Sequence, residues 1–253
     1  MTLHRERNVI LALLLVLAAA SWALLIWQSV MMDNQAMGLT MGMGAVLFLS
    51  IWVVMMVAMM FPTAAPMILM FARVQRDKRQ NGRAFVPTWV FVSAYLLIWT
   101  LFGVLAYVGA AWAERLGQQV PWLMVNAARI GGSLFVLAGL YQLSPLKHSC
   151  LAKCRTPLDF IFSSWRDGYW GSFRMGLEHG VYCLGCCWLL FVIFFPLGMM
   201  NVAAMAVVTL LIFAEKSLQG GQRIAQLAAL ALIAYGVLVV VMPGVLPMMR
   251  APM

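Results

Sequence analysis

The sequence predicts an all-helical, polytopic membrane protein of about seven transmembrane helices, with its N-terminus inside the cell and its C-terminus outside. Three observations predict it. Hydrophobic residues make up 64% of the 253 and charged residues only 10%, with a mean hydropathy of +0.92, whereas soluble domains carry about 25% charged residues. Several apolar runs are ~20 residues long, enough to cross ~30 Å of hydrocarbon at 1.5 Å per residue. Finally, 14 of the 17 lysines and arginines fall on one side of the resulting topology, as the positive-inside rule requires.

Taken in order, the spans are expected at about 9–30, 43–72, 86–112, 121–143, 175–196, 199–216 and 223–243. The first begins "LHRERNVILALLLVLAAASW", which also has the form of a signal peptide ending at Ala20; the charge pattern fits better if it stays as an anchor. The second contains Pro62 and Pro66 and is expected to kink or break near its inner end. The fourth carries Arg129 within it. Between the fourth and fifth lies the longest connection, 144–174, whose "LDFIFSSWRDGYW" suits a segment lying along the interface. The whole chain, 1–253, reads as a single membrane domain, with no internal repeat, phosphate-cradling glycine loop or serine triad. Its formal charge of +9 belongs to the inner connections, so nucleic acid is not an expected partner and membrane lipid is.

The candidate chemistry lies in "EHGVYCLGCCW", 178–188, where His179, Cys183, Cys186 and Cys187 occur within an apolar run. At 100° per residue His179, Cys183 and Cys186 share a sector of about 60°, with Cys187 close to it. His179 and Cys186 stand ~10 Å apart along the axis, too far to hold one ion. The face therefore offers overlapping two-ligand sites, His179 with Cys183 and Cys183 with Cys187, to be completed from other helices. Met55 and Met59 on the second span are one such source, lying ~16 Å deep, like Cys186. Arg129, ~20 Å deep, is the candidate to offset the charge of bound thiolates. Cys150 and Cys154 in the inner connection form a further four-apart pair, facing a reducing compartment where thiols stay free. Outer methionines, among them Met31, Met32, Met37, Met41, Met43, Met199, Met200, Met242, Met248, Met249 and Met253, supply thioethers that resist oxidation. Thiolate and thioether ligands select Cu(I), and only eight carboxylates are present, which argues against Mg²⁺, Ca²⁺ or Mn²⁺. Each cysteine alone would be an ordinary small hydrophobe; three within five residues, behind His179, favour chemistry.

These strings also carry a resemblance. "HGVYCLGCCW", "MMVAMMFPTAAP", "YQLSPLKHSCLAKCRTPL" and the Glu215-Lys216 pair resemble a bacterial family of predicted metal-binding integral membrane proteins, over about residues 43–240. The family includes the membrane partner of a polyphenol oxidase, regarded as a copper-delivery protein. The resemblance implies copper handling in a bacterial inner membrane, with His179, Cys183, Cys186 and Cys187 as motif positions. It also implies a copper-client protein or metallochaperone as partner. The expected function is thus Cu(I) binding and transfer by ligand exchange, without enzymatic catalysis. The rival is a thiol–disulfide electron relay through Cys183 and Cys186, which leaves His179, the methionines and the third cysteine without a role.

Overall fold

The computed structural model describes residues 3–32, 39, 40 and 42–245. Met37, Met41, Met248, Met249, Met253 and Arg250, with the side chains of His4 and Met32, lie outside the described residues. Eleven α-helices and one short 3₁₀ turn occur among the described residues, and no strand. They are α1 (Leu3–Met32), α2 (Ala45–Gln80), α3 (Thr88–Gln119), α4 (Pro121–Val125), α5 (Ala127–Gln142), α6 (Pro145–Arg155), α7 (Pro157–Ser164), α8 (Gly168–Val192), α9 (Phe194–Leu197), α10 (Val202–Ser217) and α11 (Gly221–Val241). Among the described residues, five helical stretches are long and apolar enough to cross a membrane: α1, α2, α3, α8 with α9, and α11. That is the mark of a multi-pass membrane protein.

Two of the expected spans take a different form. The fourth is interrupted at Asn126 into α4 and α5, and α5 has 16 residues. The sixth, α10, also has 16 residues. At 1.5 Å per residue each is ~24 Å long, short of ~30 Å of hydrocarbon. The second span is not broken at its prolines: α2 runs through both Pro62 and Pro66. Proline lacks the N–H that would bond the carbonyl four residues back. For Pro62 that carbonyl belongs to Ala58, and Trp22 Nε1 of α1 donates to it at 3.1 Å. A neighbouring helix thus satisfies the group that proline leaves open.

The helices pack mainly as α1 on α2, α2 on α3, α3 on α8, α6 on α8 and α5 on α11, with α10 against α11 and α2. Small residues set the closest approaches. A Cβ at Gly236 would stand 2.7 Å from the Gly132 carbonyl oxygen, and one at Gly132 2.9 Å from that of Gly236, so α5 and α11 touch backbone to backbone. Gly176 and Gly180 do the same for α8: a Cβ at Gly176 would strike the Phe91 carbonyl, and one at Gly180 would lie 2.9 Å from Ile98 on α3. The 144–174 connection is not confined to the surface. It folds as α6, α7 and the start of α8, and α7 buries Phe160 and Ile161 while exposing Leu158 and Phe162. Lys78 bonds Asp167 and Arg79 bonds Glu6, tying the end of α2 to α8 and α1.

Because the α5–α11 contact is backbone against backbone, Gly236→Ala should cost about 1–3 kcal/mol by overpacking. The expected reading is a lower unfolding temperature in detergent, while Gly109→Ala, where a Cβ meets nothing within 4 Å, leaves it unchanged.

Candidate metal site

The site is built on α8. Its glycines bring one face of the helix against α3, and Cys183, two turns beyond Gly176, points into that seam. Tyr95 of α3, itself buried, meets it there, with Oη 3.1 Å from the Cys183 Sγ. From the other side Lys216, near the end of α10, donates from Nζ to the same sulfur at 3.1 Å. Lys216 also lies 3.5 Å from the Thr63 hydroxyl of α2, and that hydroxyl donates to the Met60 carbonyl at 3.0 Å and lies 4.0 Å from the Met60 sulfur. Helices α3 and α10 therefore each bring a polar atom to the one sulfur of α8, and α2 meets the lysine through Thr63.

The remaining cysteines gather around it. Cys186 Sγ is 3.1 Å from Cys187 Sγ and donates to the Cys183 carbonyl at 3.1 Å. Cys154 of α6 reaches in from the connection to lie beside Cys183 and Cys186. All five cysteines are free, and Cys183, Cys186 and Cys187 are almost wholly buried. Cys150, one turn before Cys154, packs where α8 has Gly185; a Cβ there would meet its sulfur at 2.8 Å. Tyr141 bonds the Gly185 carbonyl beside it. In α6, burial pushes the Cys150 thiol up, and the close approach of Cys183 pushes the Cys154 thiol up. Both are therefore neutral S–H groups that must lose a proton to become strong ligands.

His179 lies one turn before Cys183 and is 2% exposed. Its ring stacks between Phe91 and Tyr95, at centroid distances of 5.8 and 5.6 Å, with Phe160 of α7 edge-on at 5.5 Å. Its Nδ1 has no hydrogen-bond partner among the described residues, leaving a buried imidazole nitrogen as an open lone pair or donor beside the thiols.

Other expected participants are placed differently. Arg129 is not at the cluster: it is exposed and its Nη1 donates to Asn126 at 3.1 Å. The positive group at the thiols is Lys216. Met55 and Met59 are buried in the same core, but among the described residues no hydrogen bond joins either to a thiol; the α2 sulfur linked to the cluster, through Thr63, is Met60. Of the outer methionines, Met43 and Met199 are buried and Met31 and Met242 exposed. Three of the basic residues counted on the inner side, Arg76, Lys147 and Lys216, are buried within the protein. Lys147 forms an ion pair with Glu215 at 2.7 Å, both 1% exposed, and Gln142 Nε2 donates to the other carboxylate oxygen at 3.0 Å. Glu215 and Lys216 thus hold α6 and α8 respectively from adjacent positions.

Among the described residues no three His, Cys, Asp or Glu side chains stand in preformed chelating geometry. The thiols instead bond one another. Two sulfurs on one ion at ~2.3 Å each stand ~3.8 Å apart or more, wider than the 3.1 Å between Cys186 and Cys187. Taking up an ion requires these side chains to part. The donor chemistry suits a soft ion all the same: four sulfurs and one imidazole, with no carboxylate bonded to them among the described residues.

A family model described as PpoB2, copper chaperone, matches residues 49–239. The match takes in all five thiols, His179, Tyr95 and Lys216. No curated protein and no solved structure matches the chain.

The buried Lys147–Glu215 pair gives a test of what holds α6 in place. Lys147→Met strands Glu215 in the interior and should cost about 3–5 kcal/mol, whereas Lys147→Met with Glu215→Leu should recover most of it. Unfolding temperatures of the three proteins in detergent measure the difference.

Proposed function

This chain belongs to the PpoB2 copper-chaperone family, and we propose that it holds Cu(I) at the thiols of α6 and α8 and passes it on by ligand exchange. The single observation that supports this reading is the meeting of Cys154, Cys183, Cys186 and Cys187, from two helices, around one buried sulfur that also touches a lysine.

The charges explain why lysine belongs there. Two thiolates around a monovalent ion leave one net negative charge, and an uncompensated charge in a low-dielectric interior is costly. Lys216 supplies the opposite charge at 3.1 Å from Cys183. It takes the role that the sequence suggested for Arg129. In the metal-free protein the same ammonium and the Tyr95 hydroxyl keep the Cys183 sulfur solvated by protein groups. Copper is the cargo here. As thiols become ligands they release protons, and as ligands leave they take protons back.

Exchange needs a next sulfur before the last one lets go, so that the ion is never bare. Cys154 and Cys150, four apart on α6, give a step from the buried cluster toward the connection. Met60, with Met59 and Met55 along α2, gives a thioether line in the other direction. His179 is a further ligand position beside Cys183. With the N-terminus inside, α6 faces the cytoplasm and seven membrane segments result, the broken α4–α5 and short α10 completing the five long ones. The protein then resides in the bacterial inner membrane and serves a copper client or metallochaperone without catalysing a reaction. No observation favours the thiol–disulfide relay.

Purified anaerobically after growth with copper, the protein should retain Cu(I) in stoichiometric amount by elemental analysis. Cys183→Ser with Cys186→Ser should lose it; undiminished copper in that variant would overturn the reading. Lys216→Met should weaken Cu(I) affinity about 10–100-fold, as removal of a supporting group around a metal does. Lys216→Arg should restore much of it, measured by competition with a Cu(I) chelator.

A further inference from the structure

Apart from the thiol cluster, the structure carries a basic cavity between α1 and α2, and we infer that it binds the headgroup of an acidic phospholipid. The cavity has a volume of about 450 Å³ and is lined by Arg7 on α1 and by Arg73 and Arg76 on α2. Glu6 is its one acidic lining residue, leaving an excess of two positive charges. Glu6 is already engaged, pairing with Arg76 at 3.4 Å and bonding Arg79. Arg7 and Arg73 have no ion-pair partner among the described residues, so two guanidinium groups from two helices face one cavity uncompensated.

The rest of the wall decides which anion fits. Ile10, Leu69 and Met70 are apolar, and a free phosphate gains nothing from them. A phospholipid uses both halves: its phosphate takes the paired N–H donors that arginine presents, and its glycerol and first methylenes lie along the apolar wall. The location agrees. α1 is a candidate span whose Leu13 is 58% exposed and so faces lipid, and Arg7 sits at its end, where a headgroup lies. Basic pockets between membrane helices are recognition sites for acidic headgroups, each nearby arginine adding attraction that salt weakens. Bound there, the lipid would bridge α1 to α2 with charges that the protein itself leaves unpaired. The site shares no residue with the thiol cluster, so its failure would leave the copper reading intact.

The test uses the full-length protein, delipidated in a neutral detergent and examined by native mass spectrometry and thermal unfolding. Phosphatidylglycerol, phosphatidylcholine or inorganic phosphate is added to separate samples. Retention of phosphatidylglycerol over phosphatidylcholine is expected on the order of tenfold, with a matching rise in unfolding temperature. Arg7→Gln with Arg73→Gln should abolish the preference, and Arg166→Gln with Arg223→Gln, which removes the same charge elsewhere, should keep it. Equal retention of the two lipids overturns the inference. So does an undiminished preference in the first variant, or an equal loss in the second. Inorganic phosphate stabilising the protein as strongly as phosphatidylglycerol also overturns it, because the site then takes a free anion.

Discussion

Two adjacent charges that cannot remain in hydrocarbon organise this protein. Glu215 and Lys216 end α10 almost wholly buried, and a desolvated charge must find an opposite charge or polar partners. Glu215 draws in Lys147 of α6, and Lys216 reaches Cys183 of α8. Because the two partners sit on different helices, the pair fixes how α6 and α8 lie against α10. That in turn places Cys154 beside Cys183 and Cys186. An interior of apolar side chains alone would tolerate sliding; one closed around these pairs does not.

The second constraint is close approach. Gly176 and Gly180 admit α3 onto α8, and the same face continues to Cys183. Their absence of side chains is what lets Tyr95 reach that sulfur and lets the rings of Phe91 and Tyr95 enclose His179. Indoles donate to backbone carbonyls of neighbouring helices: Trp22 to the one that Pro62 leaves open, and Trp52 to that of Trp99 at 2.9 Å, its ring lying over Gly103. A membrane offers no water to such groups, so the aromatic residues are as much part of the scaffold as the helices.

The cluster itself is closed rather than poised as a chelate. Its sulfurs satisfy one another at 3.1 Å, and the lysine and tyrosine satisfy Cys183. Cys183, Cys186 and Cys187 each have a protein partner, which keeps their sulfurs from being stranded in low dielectric, whereas His179 Nδ1 has none among the described residues. Permanent structural metal sites are organised differently, with a full ligand shell held in place.

Helical periodicity and hydropathy determined much of this by themselves. They gave the all-helical membrane class, the long spans, and the shared face of His179, Cys183, Cys186 and Cys187, because a helix fixes which side chains line up along it whatever surrounds it. They did not decide what meets that face. Lys216 read as one more basic residue at a helix end, and Arg129, which a depth count put beside the thiols, faces outward to Asn126. Cys154 read as belonging to a surface connection, and Tyr95 gave no signal at all. Depth along a helix is legible from residue number, but rotation and neighbours are not. Which partner a buried charge or sulfur finds depends on contacts between residues tens of positions apart, and only the packed helices settle those.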